Sequence, residues 1–315
     1  MSAACSIVIP NYNGLPLLQR CIPSLFDAIK HETGEFEVIV VDNHSEDGSS
    51  TYLQELRDPL QVLQLPENVG FARACNLGAA IAKYDILLFL NNDMYFAPDF
   101  LGPLLRPFKH YPDLFSVSPQ IRDWYNQLQA GRVYGHFILG SFVIKADPRH
   151  YERLCYTLYT SGAASAVKRD KFIALGGFDE YLYIYEDVDL SYRAWKRGWT
   201  AFYEPRSVVY HKGRATSKAL FPDPRYLTIN LKNRHWFIWK NLTDHAIQRR
   251  YWALLPLSLA FFTLRMHSPA PLFAFKEALE ERERVLEQST QELSLAVRTD
   301  VEVLNFVKNN IYVNE

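Results

Sequence analysis

Asp85-Ile86-Leu87-Leu88-Phe89-Leu90-Asn91-Asn92-Asp93 reads as one buried strand with a polar end. Residues 86–90 form a continuous apolar run, the pattern of a parallel strand covered on both faces. Open α/β sheets bind ligands just beyond the carboxyl ends of their strands, and Asn91, Asn92 and Asp93 stand at such an end. Asp93 carries the formal charge, where the backbone leaves the core. A hard cation bridging phosphate oxygens takes an oxygen ligand of this kind. Asn and Asp also follow strands because they bond their own backbone in turns. On this stretch alone, turn and metal site stand level.

The N-terminal side repeats the pattern. Residues 6–9 make a strand, and Pro10-Asn11-Tyr12-Asn13-Gly14 a loop at its carboxyl end. Residues 15–30 make an amphipathic helix, with Leu17, Leu18, Cys21, Leu25 and Ile29 near helical spacing and Pro16 tolerated in the first turn. A strand over 36–41 ends on Asp42-Asn43. A short helix (49–56), a strand (60–65), a loop (66–70) and a helix (71–83) lead into the opening run. Alternation with short loops predicts a parallel, doubly wound sheet.

After Asp93 the rhythm loosens. The pattern predicts a helix over 98–111 and a strand over 115–120. Residues 121–160 read as an inserted, partly antiparallel section, hairpin-like around 134–144. Residues 161–168 are small and apolar, 169–175 a short helix, and 176–180 a loop. A helix over 188–197 is stopped by Gly198, the usual residue just past a helix C-terminus. Short strands follow at 200–203 and 208–210, then His211. Beyond a composition shift at Pro222-Asp223-Pro224, helices are expected at 225–240, 246–265 and 272 to about 295, with a partly helical tail.

The length of 315 residues suits one large domain with an extension, or two domains. Lys+Arg 34 against Asp+Glu 35 gives a net charge of −1, so no global field marks a nucleic-acid binder. Cys5, Cys21, Cys75 and Cys155 form no C-x-x-C pair and no zinc spacing, which predicts buried thiols in a reducing, cytoplasmic setting. The chain enters its first strand at once, so no signal peptide is expected. No run reaches the ~20 apolar residues of a spanning helix.

Several side chains could carry chemistry, each beside a plainer role. Asp42 can accept the N3–H of a uracil or thymine, or cap the next turn. Asn68-Val69-Gly70-Phe71-Ala72-Arg73 joins a loop to a helix start. Gly70 would let a ligand approach the backbone and the helix terminus favours anions; the plainer role is a loop with a surface arginine. Glu186-Asp187-Val188-Asp189 opens a helix after Tyr181, Tyr183 and Tyr185. Acids there stabilise a first turn, or supply a general base flanked by aromatics. His211 is a lone histidine, or an imidazole ligand beside Asp93. Aromatics between 124 and 159 can line an acceptor groove or simply pack.

The order of these motifs is the stronger signal. Pro10-Asn11-Tyr12-Asn13, Val41-Asp42-Asn43, Asn68-Val69-Gly70-Phe71, Asn91-Asn92-Asp93, Gly176-Gly177-Phe178-Asp179-Glu180 and Glu186-Asp187 resemble, in sequence and order, an inverting family-2 glycosyltransferase of the GT-A fold. The resemblance covers residues 6–211. Residues 226–240, with Lys232-Asn233-Arg234, are similar to the segment after the catalytic domain in the bacterial rhamnosyltransferase-like branch.

The resemblance implies a GT-A (Rossmann-like), mostly parallel sheet flanked by helices, with a C-terminal helical extension. It implies a catalytic domain over 1–222, with a nucleotide-sugar half to about 95 and an acceptor half after it, and a helical region over 223–315. Asp42 would hold the base, with Pro10 and Tyr12 lining its pocket. Asn68, Gly70, Arg73 and Asn76 would lie near ribose and phosphates, beside Asn91 and Asn92. Asp93 would ligate Mg²⁺ or Mn²⁺, completed by His211. Asn91 and Asn92 depart from the acidic form of the metal motif. Asp187 would be the base, supported by Glu186. The donor would be a UDP- or dTDP-linked sugar and the acceptor a saccharide or lipid-linked saccharide.

Two other identities compete. Sugar-phosphate nucleotidyltransferases share a similar sheet but usually carry a glycine-rich, Arg- and Lys-bearing loop after the first strand; here it is Asn11-Tyr12-Asn13-Gly14. A non-catalytic scaffold would not need Asp42, Asp93 and Glu186-Asp187 intact. Residues 249–265 run from Arg249-Arg250-Tyr251-Trp252 through an apolar middle to Arg265. They suit a helix lying on the cytoplasmic membrane face, or one packed on the protein or in a homodimer.

Overall fold

In the computed structural model, residues 3–56, 60–213 and 223–314 are described. The opening run is strand β4 (Ile86–Leu90) of a ten-stranded sheet. It pairs in parallel with β1 (Ala3–Asn11). On its far side β1 pairs in parallel with β2 (Gly34–Asp42), and β2 with β3 (Leu60–Gln64). Helices α1 (Leu15–Lys30), α2 (Ser49–Glu55) and α3 (Phe71–Ile81) make the crossovers. The apolar run of β4 is buried on both faces. Leu88 and Leu90 join the cluster that packs α1, and Leu87 and Phe89 join the one that packs α3.

Past β4 the sheet turns mixed. Strand β5 (Met94–Phe96) is followed by helix α4 (Leu101–Leu105), which tightens into a 3₁₀ turn over Arg106–Lys109. The expected long helix over 98–111 is thus shorter, because Pro107 has no N–H to continue the ladder. Strand β6 (Leu114–Asp123) lies two places from β4. It pairs with the short β7 (Leu128–Ala130), and β8 (Val133–Ile138) with β9 (Ser141–Ala146) forms the expected hairpin as a separate sheet. After β10 (Cys155–Tyr156), the small residues of β11 (Ala164–Lys168) slot antiparallel between β4 and β6.

Helices α5 (Arg169–Ala174) and α6 (Glu186–Lys196) lead to β12 (Thr200–His211), parallel to β6. The two strands expected at 200–203 and 208–210 are one strand with a register shift between Glu204 and Val208, where Pro205 interrupts the ladder. Strand β5 pairs antiparallel with the end of β12, matching Met94 to His211. That pairing delivers the histidine to the end of β4.

The proposed boundary at Pro222 lies outside the described residues. The C-terminal helices are α7 (Asp223–Asn241), α8 (His245–Met266), α9 (Ala270–Glu280), α10 (Arg282–Leu295) and α11 (Asp300–Asn309). The single helix expected over 272–295 breaks at Glu281, and both pieces pack on α7. Apart from a small cluster of their own around Leu231, Ala270 and Ala274, these helices pack into the core of the preceding elements. Trp195 and Tyr192 of α6 and Phe142 of β9 share one apolar cluster with Trp236, Phe237, Trp239, Tyr251 and Val303. The four cysteines are unpaired and buried.

Candidate active site

Strand β1 crosses to β2 on one side, while β4 returns to its other side. Ligands bind at the carboxyl ends flanking such a switch point. A pocket of about 300 Å³ opens there, and Pro10, Tyr12, Asn68, Gly70, Asn91, Asn92 and Asp93 line it together with Glu186 and Asp187. Register brings the strand ends level. Asn11 pairs with Asp42, and Asn92 Nδ2 donates to Asn11 Oδ1 at 2.6 Å. Gly14 is required beside them, since an added Cβ would lie 2.3 Å from Asn92 Nδ2.

The loop before α3 is shaped by Asn43, a lining residue the motif reading did not single out. Its Oδ1 accepts Val69 N–H at 2.8 Å and its Nδ2 donates to Asn68 Oδ1 at 2.8 Å. Gly70 caps α3 at φ +84, a conformation that favours glycine, so its backbone rather than a side chain faces the pocket.

Asp93 is buried, and its Oδ1 has no hydrogen-bond donor. His211 Nε2 lies 3.0 Å from that oxygen, while His211 Nδ1 lies 2.8 Å from Gln129 Oε1. With Nδ1–H donated to Gln129, the Nε2 lone pair faces a carboxylate oxygen. Two electron-pair donors this close call for a proton or a cation between them. One carboxylate and one imidazole, with room for waters and phosphate oxygens, fit Mg²⁺ or Mn²⁺. Among the described residues no group of three His, Cys, Asp or Glu could hold a metal.

A second wall is the first turn of α6. Ile184 (φ +65) and Tyr185 (φ +113) precede it, two successive non-glycine residues in the left-handed region. Each costs on the order of 1–3 kcal/mol. Asp187 Oδ2 accepts Gly162 N–H at 2.9 Å and Oδ1 accepts Val188 N–H at 2.8 Å. Glu186 Oε2 is buried without a partner. Burial raises the pKa of both acids, and the Asp187 charge adds to the rise at Glu186. The pair therefore tends to keep a proton where isolated carboxyls would lose it.

Behind the turn lies a charged network. Asp189 is fully buried and binds Arg193 Nε at 2.7 Å, Asn241 Nδ2 at 2.8 Å and Lys240 Nζ at 3.0 Å. Burial alone would raise its pKa, but the Arg193 and Lys240 charges hold it below the usual carboxylate range. Lys240 also binds Asp179, and Arg193 donates to the carbonyls of Leu175 and Gly177. The Gly176-Gly177-Phe178-Asp179-Glu180 motif is thereby fastened to α6 and α7.

Four residues singled out in the sequence do not line the pocket. Asp42 is fully buried, accepting from Ser50 Oγ and from Asn11 Nδ2 at 3.3 Å. Arg73 is 56% exposed, 3.9 Å from Glu180. Asn76 braces the 176–180 loop, with Nδ2 donating to Phe178 O and Oδ1 accepting Phe178 N–H, each at 2.9 Å. His211 stands behind Asp93. Conversely, Tyr226 of α7 lines the pocket although it lies beyond the strand-end motifs.

Sheet, switch-point pocket and the acids lining it together define a class, the glycosyltransferases of the GT-A fold. The fold superposes on GalNAc-T7 crystallised with UDP, GalNAc and Mn²⁺, at TM-score 0.68 and 18% identity, over 98% of this chain and 57% of that one. It also superposes on the mannosyltransferase PcManGT from Pyrobaculum calidifontis in complex with GDP-Man and Mn²⁺, at TM-score 0.56 and 18% identity, over 92% and 85%. The chain belongs to glycosyl transferase family 2, whose model matches residues 6–172, over half its length. An N-acetylglucosaminyl-diphospho-decaprenol L-rhamnosyltransferase of Mycobacterium tuberculosis is 27% identical over 69% of this chain and 79% of its own. An N-acetylgalactosaminyltransferase 6 of Drosophila melanogaster is 29% identical over 72% of this chain and 37% of its own.

Proposed function

We propose that the chain is an inverting glycosyltransferase. It moves a sugar from a UDP- or dTDP-linked nucleotide-diphospho-sugar to an acceptor hydroxyl in cell-surface polysaccharide or glycolipid synthesis. The observation that carries this reading is that Glu186, Asp187 and Asp93 line one pocket. Asp93 and His211 hold Mg²⁺ or Mn²⁺, which when bound offsets charge on the diphosphate. The two superposed Mn²⁺-bearing structures support a divalent metal.

Pro10, Tyr12, Asn68 and Gly70 receive the nucleoside end, and Asn91 and Asn92 form the floor beneath the diphosphate. Asp42 selects a pyrimidine by exchanging the Ser50 hydroxyl for the base N3–H. Arg73, in the first turn of α3, turns toward the phosphates, while Asn76 acts by bracing the 176–180 loop. Asp187 takes the proton of the acceptor hydroxyl. The new C–O bond forms opposite the breaking bond to the diphosphate, so one displacement inverts the anomeric centre.

In a transfer assay with UDP- and dTDP-sugars, Asp187→Asn is expected to lower turnover by ~10²–10⁴-fold. Calorimetric affinity for the nucleoside diphosphate should stay near wild type, and NMR should show an inverted product. Near-normal turnover in the variant would overturn the role of Asp187. No binding of UDP, dTDP or GDP, with or without Mn²⁺, would favour the scaffold reading.

The acceptor we propose is a saccharide or lipid-linked saccharide met at the cytoplasmic membrane face. Among the described residues no helix is long and apolar enough to cross a membrane. Helix α8, however, has no Asp or Glu, carries Arg249, Arg250 and Arg265, and exposes Leu257, Phe261 and Leu264 at i, i+4 and i+7. An apolar stripe with cationic ends suits an anionic lipid surface, and unpaired thiols suit a reducing compartment. Sedimentation with anionic vesicles, lost in Leu257→Ser/Phe261→Ser, is the expected result. A dimer by light scattering without vesicle binding would assign the face to a second copy.

A further inference from the structure

We propose that Asn233 is a positioning residue for the acid pair. Its buried amide clamps the turn that carries Glu186 and Asp187, which makes the C-terminal helical region part of the catalytic machinery. The proposal rests on the reading of that pair as the reacting acids.

Locally the Glu186 carboxylate accepts backbone N–H groups of Ile184 and of Glu186 itself, which does not account for two successive left-handed residues. Ile184 and Tyr185 both sit at positive φ, and the first is β-branched, the residue type least suited to that region. No glycine relieves them, and no side chain caps the N-terminus of α6. A conformation of this kind persists where the surroundings over-determine it.

Helix α7 supplies those surroundings from fifty residues downstream. Asn233 is fully buried, and its Nδ2 donates to the carbonyls of both Tyr183 and Ile184. One amide nitrogen thus spends both hydrogens on the two peptide groups that must stay rotated. Phe237, one turn further along α7, packs on Tyr185 with ring centroids 5.8 Å apart. Lys240 and Asn241 then bind Asp189, so α7 grips the first turn of α6 from both sides. Asp in place of Asn233 would keep the shape and lose both donors. Release of the turn would let Asp187 leave the Gly162 N–H and swing away from the Asp93 wall.

Asn233→Asp and Asn233→Ala would be compared with Val303→Ala, a packing control buried in the same apolar cluster. The readouts are amide exchange of residues 184–188, turnover against donor-diphosphate affinity, and the pH–rate profile. The expected result for both Asn233 variants is at least ~10-fold faster exchange of the turn and turnover lowered ~10–100-fold. Nucleoside diphosphate affinity stays unchanged, and the acid limb of the profile moves as the pair is rehydrated. Val303→Ala should lower the melting temperature without moving turnover or the pH profile.

Wild-type exchange at 184–188 in Asn233→Asp would overturn the clamp. Faster exchange with unaltered turnover and pH profile would overturn its role in positioning. Failure of the underlying reading has a different signature, wild-type turnover in Asp187→Asn, and the exchange measurement does not depend on it.

Discussion

The two walls of the pocket are built in opposite ways. Asp93 sits in the short turn between β4, whose register is set by β1 and β11 on either side, and β5, and its own carbonyl accepts Lys212 N–H at 3.0 Å. Glu186 and Asp187 begin a helix behind two left-handed residues, with Asn233, Lys240 and Asn241 holding the turn from a distant helix. The first wall is a three-residue turn pinned at both ends by ladders, β4 to β1 and β11 and β5 to β12; the second holds only while contacts from a distant helix last. Substitutions behind the second wall should therefore cost stability, and substitutions in the first should cost mainly function.

The largest effect is expected at Asp189. Asp189→Ala strands the Arg193 guanidinium and removes one of two acids from Lys240. Breaking a buried pair from one side costs about 3–5 kcal/mol, read as a lower urea midpoint. The sign follows from its depressed pKa. The Asp189 contribution is present above the ordinary carboxylate range and is lost as pH falls through its folded value. The gap between wild type and variant should thus narrow only below the ordinary carboxylate range. A gap that closed near neutrality would break the comparison.

Asp93→Ala is the contrasting case. Apart from His211 Nε2 at 3.0 Å, Asp93 Oδ1 has no hydrogen-bond partner to lose, so the urea midpoint should move far less than in Asp189→Ala. Turnover should fall by on the order of 10²–10³-fold, the scale of losing a charge-stabilising group, and Mn²⁺ should no longer strengthen nucleoside diphosphate binding. His211→Ala should weaken that Mn²⁺ dependence by only ~10–100-fold. An unfolding shift at Asp93 as large as at Asp189 would mean the first wall is no more self-supporting than the second.

The same contrast explains what could be read from the sequence. Strands β1, β2 and β4 announce themselves by unbroken apolar runs ending in polar residues, and the pocket lies where those runs stop. Strand β11 gave no such signal, because Ala164, Ser165 and Ala166 are too small and too few to stand out. Three-residue β5 was equally silent, so nothing local showed that its pairing brings His211 to Asp93; only motif order pointed there. Motif order also grouped Asn76 with the phosphates, although its amide serves the 176–180 loop. Asn233 sits in an ordinary helical stretch beside Lys232 and Arg234, and its use depends on a contact that spacing cannot encode.

The smallest effect separates the two acids themselves. Asp187 already receives an N–H on each oxygen, whereas Glu186 Oε2 is buried with none. Burial and the Asp187 charge hold the Glu186 pKa above its unfolded value. Ionising Glu186 therefore opposes folding: the wild type loses stability as pH rises from the ordinary carboxylate range, near ~4.3, through the raised folded value. Glu186→Gln cannot ionise and escapes that loss. It should match the wild type near pH 4 and be more stable by on the order of 1 kcal/mol at neutral pH and above, visible as a higher urea midpoint. Its turnover should fall by less than that of Asp187→Asn if Glu186 only supports the base. Were Glu186→Gln the more damaging of the two, Glu186 would be the proton acceptor, and Asp187 the residue that holds it in place.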